Sequence, residues 1–223
     1  MDKQLLMDGV KKFLAGIIMI GLLLFLPAGT IHYYNGWLFC GVLFIPVLIM
    51  GVVLFLKAPE LLRKRLQEKE EQAEQKSVVA LSGLMFLAGF ILAGLDFRFA
   101  WTQLPSCLVH AAAVAFLLGY ALFGEVMREN AYLSRTVEVQ ENQVVIDTGL
   151  YGIVRHPMYT ATVVMFLAMP LVLGSAISFV VFLVYPFLIV KRIRNEEQVL
   201  EEGLAGYTEY KQKVKYRLIP FIW

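Results

Sequence analysis

The chain has 223 residues, 59% of them apolar, with a mean hydropathy of +0.67 and a formal net charge of +2. Soluble domains are nearer half apolar, and so small a charge gives no sign of a nucleic-acid partner. The two cysteines, Cys40 and Cys107, lie inside apolar runs, which argues against a disulfide framework or a thiolate metal site and predicts buried, inert thiols and no metal.

The apolar residues come in blocks. Residues 13–31 are long enough for a spanning helix, which needs roughly 20 apolar residues; without a small-x-small cleavage pattern behind them they read as a first span, not a cleaved leader. His32, Tyr33, Tyr34, Asn35 and Trp37 have the composition of a membrane interface. Residues 36–56 form a second block, with Pro46 as an expected kink. Residues 57–77 carry charges of both signs and become helix-forming after Pro59. They read as a solvated connector or, alternatively, as an interfacial helix touching anionic headgroups through Arg63, Lys64 and Arg65.

The third block, 78–95, ends at Asp96, Phe97, Arg98, Phe99 and Trp101, where Asp96 and Arg98 read as capping and snorkelling groups. The fourth runs from Leu104 to about Val126 and holds His110 and Glu125. A histidine inside a span is costly, but His110 is near the start and would be structural if bonded to a carbonyl. In the polar stretch 127–156, residues 137–140 and 143–146 predict short extended pieces around a turn at Glu141-Asn142. The last block, 158–190, is too long for one helix. Gly174-Ser175 divides it into limbs of about 157–173 and 176–190, reaching ~25 Å and ~22 Å at ~1.5 Å per residue. The tail 191–223 reads as helical with interruptions at Gly203 and Gly206, and Ile219-Pro220-Phe221-Ile222-Trp223 should fold back onto the membrane surface or the body.

This pattern predicts an all-α integral membrane protein of about six transmembrane or re-entrant helices, with five as the alternative. Placing the N-terminus inside puts 3, 6, 3 and 7 of the 20 Lys and Arg residues in segments 1–12, 57–77, 127–156 and 191–223, leaving only Arg98 outside. That asymmetry favours cytoplasmic N- and C-termini in a cell membrane. It also brings two charged clusters, one on each flank of the last hairpin, to one face.

Those clusters carry the chemistry. Pro157 suits the first position of a helix, where its missing N–H is not needed. His156 then stands near the N-cap, and the free N–H groups of that turn would make an anion site. Tyr159, three residues on, shares His156's side of the turn. On the other limb Arg192 and Glu196, four apart, share a helix face, and Glu197 points ~100° away. Together they read as one cofactor site at the membrane edge, or as solvated charges.

Gly149-Leu150-Tyr151, Arg155-His156-Pro157-Met158-Tyr159, Glu196-Glu197-Gln198-Val199-Leu200, Gly206-Tyr207, Tyr210 and Pro220 form an ordered pattern that resembles the isoprenylcysteine carboxyl methyltransferase family and is similar to the related phospholipid N-methyltransferases. The resemblance covers about residues 136–223. It implies one membrane domain, with 1–126 as a four-helix membrane body and 127–223 as the cofactor-binding core, the site lying between the last hairpin and the C-terminal helix. It implies S-adenosylmethionine as cofactor, S-adenosylhomocysteine as its product, membrane lipid as surroundings, and a lipophilic small-molecule or lipidated acceptor. Carried over residue by residue, the cofactor contacts are Tyr151, His156, Pro157, Met158, Tyr159 and Glu196 or Glu197, with Gln140 and Val145 lining the pocket. Arg192 faces the acceptor. Ala161 stands where many members have glycine, a change that bears on helix packing more than on chemistry.

The implied catalytic pair is Arg192 and Glu196. A carboxylate acceptor, as in an isoprenylcysteine, needs a cation such as Arg192 to orient it and no base. A phospholipid amine would need deprotonation by a glutamate or by His156. A sterol-type NADPH reductase resembles the family in its C-terminal membrane fold, but a dinucleotide calls for a longer, more basic pocket. A transporter or scaffold would carry polar residues facing one another within the bundle, where the sequence shows few beyond His110 and Glu125.

Overall fold

The structure is a computed structural model and describes residues 2–66, 73–133, 137 and 139–223. Its helices are α1 (Lys3–Ala28), α2 (Tyr34–Lys57), α3 (Pro59–Leu66), α4 (Ala73–Phe99), α5 (Ser106–Glu129), α6 (Pro157–Val172), α7 (Ala176–Phe182), α8 (Tyr185–Gly203) and α9 (Tyr207–Lys213), with a 3-10 turn at Gly149–Gly152. Their ends follow local chemistry. Asp2 caps α1 by accepting from the N–H groups of Gln4 and Leu5 at 3.0 and 3.1 Å, and Gly29 stops it at φ +69°, a left-handed position that suits glycine. Pro157 opens α6 at its first position.

Five helical stretches are long and apolar enough to cross a membrane: α1, α2, residues Gln75–Phe99 of α4, α5, and the joined pair α7 and α8. The chain is an integral membrane protein. α6, the sixth apolar segment, has 16 residues. Gly174, at φ +79°, makes the expected turn after it. The second limb is not one helix ending near 190: it breaks at Leu183-Val184 and then continues through the polar residues to Gly203, so Arg192, Glu196 and Glu197 stand on an extension of the membrane helix itself.

α6 packs along α5, whereas α4 packs against α1, α7 and α8. The core is aromatic: Phe39 and Phe90 lie 5.6 Å apart, Phe90 and Phe182 6.0 Å, Phe86 and Phe166 4.8 Å. Small residues set the closest approaches, as expected where lipid removes the hydrophobic drive between helices. A Cβ on Gly94 would lie 2.5 Å from the Leu24 carbonyl oxygen. Ala161 is fully buried, its carbonyl against Gly119, so the departure from glycine does fall on the α5–α6 contact.

Asp96 does more than cap. It is buried and accepts from Thr102 N–H at 2.7 Å, Thr102 Oγ1 at 2.5 Å and Ser175 Oγ at 2.5 Å. With Tyr33 donating to the Leu173 carbonyl at 2.6 Å, this ties the α1–α2, α4–α5 and α6–α7 connections at one end of the bundle. His110 Nδ1 lies 2.7 Å from the Ser106 carbonyl, the structural arrangement. Cys40 is half-buried and Cys107 is exposed on the second residue of α5, so the second thiol is not buried. Residues 137 and 139–146 form no strand; the Gln143 N–H closes a turn on the Gln140 carbonyl at 3.1 Å, and Glu138 lies outside the described residues.

Candidate functional site

At the charged end of the bundle α6 and α8 face each other across a cleft of about 860 Å³, counting its open mouth. The first turn of α6 supplies one wall. His156 is its N-cap residue, and its ring stacks on that of Tyr159 at 5.7 Å between centroids. α8 supplies the other. Arg192 Nε donates to the Tyr159 hydroxyl at 2.8 Å, and that hydroxyl donates to the Glu196 carboxylate. One phenol therefore joins a guanidinium and a carboxylate across the hairpin. Gln75 of α4 holds the same turn of α8 from behind, through the Arg192 carbonyl and, at 2.6 Å, Asn195.

The first turn of α6 is not the open set of donors expected. Pro157 has no N–H, and the Tyr159 N–H bonds the His156 carbonyl at 3.0 Å. The helix start instead serves to anchor the tail. Arg155 and His156 donate their backbone N–H groups to Tyr216 and Arg217, each at 2.9 Å, and Thr160 Oγ1 donates to the Leu218 carbonyl at 2.8 Å. Leu218 and Trp223 pack onto the core, while Ile219, Phe221 and Ile222 stay exposed.

Of the residues expected here, Val145, Tyr151, His156, Met158, Tyr159, Arg192 and Glu196 line the cleft. Gln140, Pro157 and Glu197 do not. Gln140 braces the neighbouring loop, accepting from Lys64 at 2.5 Å and donating to the Tyr132 carbonyl at 2.5 Å. Pro157 shapes the helix start. Glu197, ~100° round α8 from Glu196, is buried against Arg155 at 2.7 Å and Arg217 at 2.9 Å. Burial raises its pKa, but hydrogen bonds from His156 and Arg155 outweigh that and hold the carboxylate down at about 2; it sits on the polar turns of α8, beyond the apolar part ending at Val190.

The remaining lining comes from Asn130, Tyr132, Leu133, Arg155, Tyr207 and Tyr210, with apolar Ile146, Leu200 and Leu204 among others. Tyr207 and Tyr210 were visible in the sequence only as a Gly-Tyr-x-x-Tyr spacing; Asn130 and Tyr132 carried no signal. Burial, reinforced by the Glu197 and Glu196 charges, pushes the Tyr207 phenol up, so it stays a neutral donor. Tyr210 donates to the Tyr151 carbonyl at 2.7 Å and Asn130 to the Tyr151 hydroxyl at 2.9 Å. α3 is not a free connector. Lys64 reaches Gln140, and the Arg65 guanidinium lies over the Phe123 ring at 5.1 Å beside Met158. Among the described residues no His, Cys, Asp and Glu cluster has the make-up of a metal site.

Residues 111–202, from within α5 to the end of α8, match the sequence profile of the isoprenylcysteine carboxyl methyltransferase family. That segment, less than half of the chain, is what the likeness to this family rests on in sequence. The fold of the whole chain is likewise similar to that of the eukaryotic intramembrane Ras methyltransferase ICMT, with a TM-score of 0.56 over 92% of this chain and 74% of that one at 19% identity. The delta(14)-sterol reductase of Mus musculus is 31% identical over 91 residues, 40% of this chain but only 22% of the reductase. The chain thus spans about a fifth of that relative's length. The family segment contains the α6–α8 clasp of Tyr159, Arg192 and Glu196; it stops short of Tyr207 and Tyr210, which complete the cleft from α9.

Proposed function

We propose that the protein is a membrane methyltransferase that moves the methyl group of S-adenosylmethionine to the carboxylate of a lipophilic, isoprenylcysteine-like acceptor, with the cleft facing the cytoplasm. The observation that carries this is the Tyr159 hydroxyl joining Arg192 to Glu196 beside His156, within a cleft whose other lining is mostly aromatic and aliphatic. Such a donor set fits a cofactor with an amino-acid end and a flat apolar end. Glu196 and His156 would take the ammonium group, Arg192 the acceptor carboxylate, and the Val145, Leu200 and Leu204 side the adenine.

The cofactor supplies a methyl group on a sulfonium. In the transfer the S–CH₃ bond breaks as the O–CH₃ bond forms, and the positive sulfonium and negative carboxylate both become neutral. No proton moves, so these residues need supply only alignment and a dry site, which lowers the barrier where opposite charges are being lost. Arg192, fixed by Tyr159, orients the acceptor oxygen.

The test is incubation of the purified protein in lipid with labelled S-adenosylmethionine and a farnesylcysteine analogue. Label should enter the analogue as a base-labile ester, and Glu196→Ala and His156→Ala should abolish S-adenosylhomocysteine binding while the protein still inserts. Methylation of phospholipid amine instead would reassign the acceptor. The similarity to the sterol reductase favours a second reading, reduction with NADPH. Against it, the two arginines of the cleft are engaged with Glu197 and with Tyr159. Binding of NADPH without S-adenosylhomocysteine would establish the reductase and refute the methyl donor.

A further inference from the structure

Glu196 and Glu197 are neighbours on α8, so only one can face the cleft, and Glu196 does. Both oxygens of Glu197 are committed elsewhere. Oε1 accepts from Arg155 Nε at 2.7 Å and lies 3.3 Å from His156 Nε2; Oε2 accepts from Arg217 Nε at 3.0 Å. The side chains of Glu197, Arg155 and His156 are 5%, 5% and 4% exposed. Arg155 is held in turn by the carbonyls of Val214 and Lys215 at 2.7 and 2.9 Å. Swinging Glu197 into the cleft would strand the buried Arg155 guanidinium without its carboxylate, which is strongly unfavourable.

An ionised carboxylate has no proton to give, so in the Glu197–His156 contact the imidazole Nε2–H is the donor. Which histidine nitrogen carries the proton is set by the bond the other makes. The other nitrogen, Nδ1, is 3.9 Å from Glu196 Oε1, outside hydrogen-bond reach, on the side of the cleft that both residues line.

We infer that Glu197 is a positioning residue and not a cofactor contact: it fixes His156 with its proton on Nε2, so that Nδ1 and the Glu196 carboxylate together present two acceptors to an ammonium group in the cleft. This rests on the methyl-transfer reading for the identity of the ammonium-bearing ligand, but the tautomer itself does not depend on it. The arrangement repeats the logic of metal sites, where a carboxylate behind a histidine orients the ring and its loss costs about 10- to 100-fold in affinity.

The test is ring-¹⁵N histidine NMR on the full chain in detergent micelles, the His156 signal being the one missing from His156→Gln. At a pH where the ring is neutral, the wild type should show it protonated on Nε2. Glu197→Gln should lose that preference and weaken S-adenosylhomocysteine binding by about tenfold or more. Glu196→Gln should weaken binding with the His156 tautomer unchanged, an effect that a merely structural Glu197 would not produce in reverse. A wild-type ring protonated on Nδ1 overturns the proposal, as does a folded Glu197→Gln protein with wild-type affinity. Should Glu197→Gln not fold, the wild-type tautomer decides. A wild type that shows the Nε2 tautomer yet fails to bind S-adenosylhomocysteine refutes the methyl-transfer reading and leaves the positioning role standing.

Discussion

Removing one oxygen from Tyr159 separates the two things this residue does. Tyr159→Phe keeps the ring stacked on His156 and loses the hydroxyl that accepts from Arg192 and donates to Glu196. The two charged groups then face each other without their linker. Cofactor affinity should fall and turnover fall further, with a stability loss of only about 1–3 kcal/mol, the cost of buried groups deprived of a partner. Calorimetry with S-adenosylhomocysteine, initial rates and thermal unfolding read the three effects apart. Glu197 gives a pH signature of a different kind. Its carboxylate is held at about 2 against an ordinary 4.5, so its stabilisation is complete above pH 4.5 and drains away as pH falls toward 2. Unfolding midpoints measured across that window should drop in the wild type, and Glu197→Gln should lack that component.

At the level of elements, glycine contacts decide how close the helices come. Gly94 admits the Leu24 backbone between α1 and α4. Gly94→Val would set carbon atoms against a carbonyl oxygen that cannot yield, and should destabilise by about 1–3 kcal/mol or more, as overpacking does; thermal unfolding in detergent measures it, and cofactor affinity in the folded fraction should not change. Much of this layer was legible in the sequence. Block lengths and interface aromatics mark α1, α2, α4 and α5, Pro157 marks the start of α6, and Gly174-Ser175 marks its end. What was not legible has a common cause. A linear reading makes Asp96 a cap, Gln75 part of a solvated connector and Glu197 a cofactor contact or a solvated charge, because their partners (Ser175, Asn195 and Arg155) are distant along the chain and nothing local reports the pairing. The extended pieces expected at 137–146 did not form at the described positions for the opposite reason: alternation was present, but among the described residues no second strand lies alongside to take the hydrogen bonds.

For the molecule as a whole, the charge asymmetry that orders the segments makes a prediction about sidedness. In a variant with Cys40 and Cys107 changed to serine, a single cysteine at Glu202 should react with an impermeant maleimide only from the cytoplasmic side, and one at Thr30 only from the other. Labelling of both from one side would contradict the assignment. The candidate site was legible to a similar depth. The spacing of His156, Tyr159, Arg192 and Glu196 was enough to bring two helices to one cleft, whereas Asn130, Tyr132 and the division of labour between Glu196 and Glu197 needed the fold, since each depends on which way a helix is turned.

The shortness of α6 has a physical effect on the membrane around it. Its 16 residues reach only ~24 Å, against a hydrocarbon thickness of ~30 Å. The far end of α6 is tied through Ser175 and Leu173 to the neighbouring connections, so the deficit is taken up at the end carrying His156 and Tyr159. If α6 crosses the membrane, lipid beside that end would thin or dip to meet it. A bilayer that α6 crossed would therefore be dimpled at the cleft. At the floor of that dimple, the proposed water-soluble cofactor and the headgroup of the proposed lipid-dissolved acceptor would lie at the same depth, without either being drawn out of its own phase.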